Sequence, residues 1–219
     1  MHETLRLTRM HAMSGSPLWR SVANAAISVD HTDITLLGLV YAFPKWVNNQ
    51  SNTPYANSAT EAAAAEFVAR WVSGVKQHHN LTVDWVGLFN EREYTDTYMH
   101  ALRDALDRQG HNTSIVASDR GWEPIATDFL DHAPTRAVVD AISQHYPHCD
   151  GSRGAPGPGH DSYCGGSNQN ARAAHNQYGV PLWSSEDYSC WTDALGAGVW
   201  ATEVNSNYGE HKDRELVVV

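Results

Sequence analysis

Apolar positions in this chain come in blocks. Continuous apolar runs at 34–41, 83–89, 114–119, 137–144 and 181–185 read as strands buried on both faces. Helical stretches lie mostly between them. Ser14-Gly15-Ser16-Pro17 opens a predicted helix through Leu18, Val22, Ala25, Ala26 and Val29. A second runs from Thr60, as N-cap, to about His79, with Glu61 in its first turn and Phe67, Trp71, Val72 and Val75 on one face as expected core contacts. A third covers Tyr98 to Arg108 and ends at Gly110, whose missing Cβ suits a left-handed C-cap. A fourth opens at Trp122-Glu123-Pro124. Residues 148–179, dense in Gly, Pro, Ser and Asn, are expected to form a long loop.

Strands alternating with helices predict a parallel α/β architecture. In a (β/α)8 barrel the residues just past the C-terminal strand ends line the active-site mouth. Two of the runs turn acidic at that end: Val83-Asp84-Trp85-Val86-Gly87-Leu88-Phe89 leads into Asn90-Glu91, and Leu182-Trp183-Ser184-Ser185 into Glu186-Asp187. Glu91 and Glu186 can therefore face one another across a cleft, and paired carboxylates suggest glycoside hydrolysis. Asp119 and Trp122, after the 114–119 run, and His145 and Tyr146, after the 137–144 run, are further candidates for the mouth. A closed barrel takes eight strands, so the five runs predict a partial one.

Composition narrows the partners. The formal net charge is −10, and no basic stripe is present to neutralise phosphates, which argues against nucleic acid. Thirteen His would relieve part of that charge at mildly acidic pH. No apolar run reaches the roughly 18–20 residues of a membrane span, and Met1-His2-Glu3-Thr4-Leu5-Arg6 does not read as a signal peptide. Cys149 and Cys164 bracket the Gly/Pro-rich loop, either as a disulfide in an oxidising compartment or as free thiols. Sequons at Asn49, Asn80 and Asn112 are compatible with the secretory route. Adjacent His78 and His79 point in different directions on a helix, and no metal site is expected.

Several motifs resemble the galactocerebrosidase family of lysosomal galactosylceramidases. They are Leu36-Leu37-Gly38-Leu39, Phe43-Pro44-Lys45-Trp46, Asn90-Glu91-Arg92, Ala117-Ser118-Asp119, His145-Tyr146-Pro147, Trp183-Ser184-Ser185-Glu186-Asp187 and Gly196-Ala197-Gly198-Val199-Trp200. The likeness runs in order from about residue 18 to 208. It implies a retaining glycosidase on a TIM barrel, with Glu91 as acid/base and Glu186 as nucleophile, and the five runs as the third to seventh strands. Residues 1–16 are then a poorly defined lead, 17–208 a partial barrel domain and 209–219 a divergent tail.

The resemblance further implies a galactolipid substrate, presented by a lipid-binding activator protein if one is needed, a lysosomal or secretory parent protein, and no cofactor. Retaining chemistry asks for carboxyl groups about 5–5.5 Å apart. Asn90 is suited to bond the sugar 2-hydroxyl, which leaves Tyr41, Trp46, His145 and Tyr146 as candidate substrate contacts. His145 and Tyr146 either orient the nucleophile, line the sugar site or are ordinary strand-end residues. Trp46, Trp122 and Trp183 are each either sugar platform or core, while Glu93 and Asp187 are expected as loop charges. The family generally carries Trp where this chain has Tyr41 and Phe89, which leaves the sugar open. A related barrel β-glycosidase or an inert truncated chain are the alternatives.

Overall fold

A computed structural model describes residues 9–10, 35–47, 55, 57–145, 169–186 and 214–216. The chain divides into two compact units, one of Met1–Asn90 with Tyr94–Ile115, the other of Glu91–Glu93 with Val116–Val219.

In the first unit, β1 (Arg9–Met10), β2 (Leu37–Val40) and β3 (Trp85–Gly87) pair in parallel, with Arg9 opposite Leu39 and Leu37 opposite Trp85. Asp84 locks the register, its carboxylate accepting the Leu36 amide at 2.8 Å while its own amide donates to the Leu36 carbonyl. The Asn90 amide donates to the Val40 carbonyl at 2.8 Å, so the chain after β3 stays beside the end of β2.

Two helices belong to the same unit. Helix α1 (Ser58–His79) begins at Asn57, whose side chain accepts from the Ala59 and Thr60 amides, so the cap is Asn57 and not Thr60. Asn does this well because its short carbonyl reaches the orphan amides of the first turn. The buried face of α1 is small: Ala64, Ala65, Val68, Ala69, Val72 and Val75 are buried, while Phe67 and Trp71 are only half-buried. Helix α2 (Asp96–Arg108) is capped by Thr95, whose hydroxyl also donates to Glu61 at 2.7 Å and so ties the two helix starts together. Gly110 follows α2 with φ +76°, as its missing Cβ predicts.

The second unit carries β4 (Ser114–Asp119) from Val116 onward, α3 (Trp122–Asp131), α4 (Ala133–Val138), β5 (Ala141–His145), α5 (Gln169–Tyr178), β6 (Leu182–Glu186) and β7 (Arg214–Leu216). Its strands pair in parallel in the order β4, β5, β6, β7. Helices α3 and α5 are joined by Asn170, which donates to Thr127 at 2.9 Å, and by an edge contact of Phe129 and Tyr178.

Two expectations are corrected here. The run expected as a strand from 137 begins only at Ala141, because Pro134 starts a short helix that continues through Val138. Pro fixes a helical φ without losing a needed amide, and that local signal outweighs the β-branched Val138 and Val139. The expected loop at 148–179 contains α5, whose Asn- and Gln-rich sequence hides a buried Ala171/Ala174 pair at helical spacing. The segments at 9–10 and 214–216 pair as strands, where no periodicity predicted any. The expected helix at 17–29 and all three cysteines lie outside the described residues.

Two stability predictions follow from the first unit. A Cβ at Gly87 would lie 2.6 Å from Leu39 Cδ1, so the buried Leu39 side chain would have to shift. Gly87→Ala is expected to cost about 1–3 kcal/mol by urea denaturation.

Tyr98 is fully buried, and its hydroxyl has no hydrogen-bond partner among the described residues. Desolvation first, and the neighbouring Tyr55 second, push its phenol well above the usual range. The unfolded chain then loses this proton near pH ~10 while the folded chain keeps it, so stability falls as pH rises past that point. Tyr98→Phe is expected to remove part of the alkaline loss and to leave neutral stability unchanged or higher. Denaturation midpoints of both proteins on either side of pH ~10 test this; equal alkaline losses would count against it.

Candidate active site

In the second unit, acidic and imidazole side chains meet at the C-terminal ends of parallel strands. Asp119 ends β4, His145 ends β5 and Glu186 ends β6. Asp119 pairs in register with Gln144, and a bulge between Gln144 and His145 brings His145 opposite Glu186. Glu91 enters from the short segment after β3 that belongs to this unit.

His145 is the hub. Its side chain is 0% exposed, its Nδ1 lies 3.5 Å from Glu91 Oε1 and its Nε2 lies 3.0 Å from Asp119 Oδ1. Neither approach is aligned as a directed hydrogen bond. The Ser185 hydroxyl donates to the same Asp119 oxygen at 2.8 Å. Asp119 is itself buried, and its Oδ2 has no hydrogen-bond partner among the described residues. Glu91 remains partly open, with 25% of its side chain exposed. A proton donor-acceptor set is therefore buried at one end and reaches solvent at the Glu91 end.

Backbone conformation sets these two acids apart. Glu91 has φ +52° and Asp119 φ +94°, and the only other described non-glycine residue with positive φ is the helix-ending Asn80. Such conformations cost side-chain-bearing residues about 1–3 kcal/mol each and tend to collect at functional sites. Around them, the Trp122 amide donates to Gln144 Oε1 at 2.9 Å and anchors the start of α3. Arg120 pairs with Glu93 at 2.7 Å on the exposed rim.

The first unit holds the remaining candidates that the structure describes. Asn90 is half-buried, and its Oδ1 is a buried acceptor with no hydrogen-bond partner among the described residues. Tyr41 follows Val40, whose carbonyl binds the Asn90 amide. Trp46 is 75% exposed, with one edge against Phe67, so it is not core. Trp122 and Trp183 are buried, which removes both as open sugar platforms. Tyr146 and Asp187 lie outside the described residues, and of Glu186 only the strand position is described.

Sequence reasoning gave Ser185 no role. Its only signal was its place one residue before Glu186, on the opposite face of the strand by simple alternation. Among the described residues no group of three or more His, Cys, Asp or Glu is arranged to hold a metal ion, and no described helix is long and apolar enough to cross a membrane.

Comparison with known proteins gives the frame. The sequence pattern of glycosyl hydrolase family 59 matches residues 12–218. Galactocerebrosidase from Danio rerio is 40% identical over 177 residues, which is 80% of this chain and 23% of that protein. The Homo sapiens galactocerebrosidase is 35% identical over 177 residues, 80% of this chain and 22% of its own length. The chain thus spans less than a quarter of these relatives.

Among solved structures, SrfJ from Salmonella typhimurium superposes with a TM-score of 0.66 at 14% identity, covering 90% of this chain and 46% of that one. A glycoside hydrolase family 30 subfamily 8 xylanase from Clostridium acetobutylicum does so with a TM-score of 0.66 at 17% identity, covering 99% and 56%. At such identities the likeness is one of fold, and it bears out the expected α/β class and partial TIM barrel.

The bond from Ser185 to Asp119 is open to test. Both groups are buried, so Ser185→Ala leaves Asp119 Oδ1 without this donor and is expected to cost about 1–3 kcal/mol by thermal or urea denaturation. A change within about 0.5 kcal/mol would mean that the bond holds nothing in place.

Proposed function

Because the chain belongs to glycosyl hydrolase family 59, we propose that it carries the catalytic carboxylates of a retaining β-glycosidase that cleaves the β-galactosyl bond of galactosylceramide-like galactolipids. Glu91 is the acid/base and Glu186 the nucleophile. The observation that supports the pair is their common neighbour: Glu91 Oε1 approaches His145 Nδ1 at 3.5 Å, and Glu186 is the register partner of His145.

In the first half-reaction Glu186 attacks the anomeric carbon while Glu91 protonates the departing oxygen. In the second, Glu91 takes a proton from water as the water oxygen bonds the anomeric carbon and the bond to Glu186 breaks. Asn90 Oδ1, a buried acceptor, is suited to a sugar hydroxyl donor, and that contact strengthens in the transition state. Tyr41, Trp46 and Tyr146 are the other proposed substrate contacts. The parent protein works in the lysosome or along the secretory route, its lipid substrate presented by a lipid-binding activator if one is needed.

The test is release of fluorophore from an aryl β-galactoside at acidic pH, by this chain and by a longer form extended at both ends. Glu91→Gln is expected to lower turnover by about 10²–10⁴-fold, and Glu186→Gln at least as much. A panel of other aryl β-glycosides reads the sugar. Full activity of Glu186→Gln would sink the assignment of the nucleophile. If neither form cleaves any β-glycoside although both fold cooperatively, the glycosidase proposal fails.

A further inference from the structure

We propose that Asp119 is a positioning residue for the acid/base glutamate: its buried carboxylate is the counter-ion of a protonated His145, and the pair holds an imidazolium against Glu91. The counter-ion contact stands on geometry alone, whereas its catalytic meaning rests on Glu91 acting as proposed above.

Three observations carry it. Asp119 is 4% exposed, and a carboxylate taken out of water needs donors or a cation. Its described donor is one hydroxyl, that of Ser185, and the same Oδ1 lies 3.0 Å from His145 Nε2. His145 is itself buried, its other ring nitrogen lies 3.5 Å from Glu91 Oε1, and a ring set between two carboxylates is stabilised as the cation.

Among the described residues, the charged groups that contact this imidazole are both carboxylates, which favour the cation. The segment after β3 supplies Glu91 and β4 supplies Asp119. On its own strand the preceding Gln144 is neutral and engaged with the Trp122 amide. The nearby Arg120 sets its guanidinium on Glu93 at 2.7 Å.

The consequence falls on one half of the reaction. An imidazolium beside Glu91 Oε1 favours the ionised carboxylate, the form that takes a proton from water in the second half-reaction. Asp119→Asn keeps an oxygen for the Ser185 hydroxyl but removes the charge, so His145 should give up its proton and base catalysis should slow.

The first arm of the test needs no activity. The His145 ring is titrated by nitrogen-15 NMR in the 219-residue chain, wild type and Asp119→Asn. The wild-type midpoint is expected above about 6.5, and the variant's lower by about 1–3 pH units. A wild-type midpoint at or below that value overturns the proposal even if the variant does not fold, and so does an unmoved midpoint in a folded variant.

The second arm uses an aryl β-galactoside with a good leaving group, whose turnover is limited by the second half-reaction. Asp119→Asn is expected to lower kcat by about tenfold or more with kcat/KM nearly unchanged, and added azide, which needs no general base, should restore kcat. Equal loss of kcat and kcat/KM with no azide response would reduce Asp119 to a structural role and overturn the catalytic part. If His145 titrates as expected while neither this chain nor the extended form, both folded, hydrolyses any β-glycoside, the counter-ion stands and the glycosidase proposal falls.

Discussion

A carboxylate held away from water has to be compensated by its surroundings, and the end of β4 is built around that requirement. Asp119 draws in the Ser185 hydroxyl from β6 and the His145 ring from β5, and His145 in turn meets Glu91. Four segments far apart in sequence are thereby fixed to one another within a single compact unit. Parallel pairing makes this possible, because it sends the C-terminal ends of β4, β5 and β6 out on the same side. The bulge at Gln144/His145 adds the last adjustment, setting His145 opposite Glu186.

The parts of this fold that were legible in the sequence are those where one local signal dominates. The apolar run at 114–119 coincides with β4, and Gly110 takes up its left-handed conformation after α2. Where two signals compete, the boundary moved. Val138 and Val139 favour a strand, but Pro134 had already committed the chain to a helix turn. In α5 the Gly, Pro, Ser and Asn density of the surrounding stretch argued for a loop, and only the spacing of Ala171 and Ala174, both packed inward, marks the helix. The cap of α1 shifted from Thr60 to Asn57 because both residues can cap, and the choice depends on where the chain turns in. The strands at 9–10 and 214–216 are two or three residues long, too short to leave any period in the sequence.

The candidate site was legible as a list of residues at strand ends but not as a network. Glu91, His145 and Glu186 were all singled out from their motifs, yet nothing in one dimension showed that His145 meets Glu91 and lies opposite Glu186 in register. Parallel register and a bulge decide that, and both are tertiary properties. Asp119 was a candidate for the mouth of the cleft with no sign of its burial, and Ser185 was given no role although it donates to Asp119. The tryptophans divided in the same way. Trp122 and Trp183 went to the core and Trp46 to solvent, because aromatic rings serve either purpose and only packing chooses.

The positive φ at Glu91 and Asp119 is a cost that the fold alone does not impose on acidic side chains. If the fold alone set the requirement, glycine would meet it without strain at both positions, and asparagine tolerates the left-handed region better than glutamate does. A buried carboxylate at φ +94° carries two costs at once, backbone strain and desolvation, and an amide would lower the second. The packing around Asp119 does not ask for a negative charge, since the Ser185 hydroxyl would donate equally to an amide oxygen. What an amide cannot do is hold a cation, and the group within reach of the Asp119 charge is an imidazole that touches the acid/base candidate. Under the acid/base role proposed for Glu91, the charge is accounted for by proton handling there, with the fold keeping two strained acids in place.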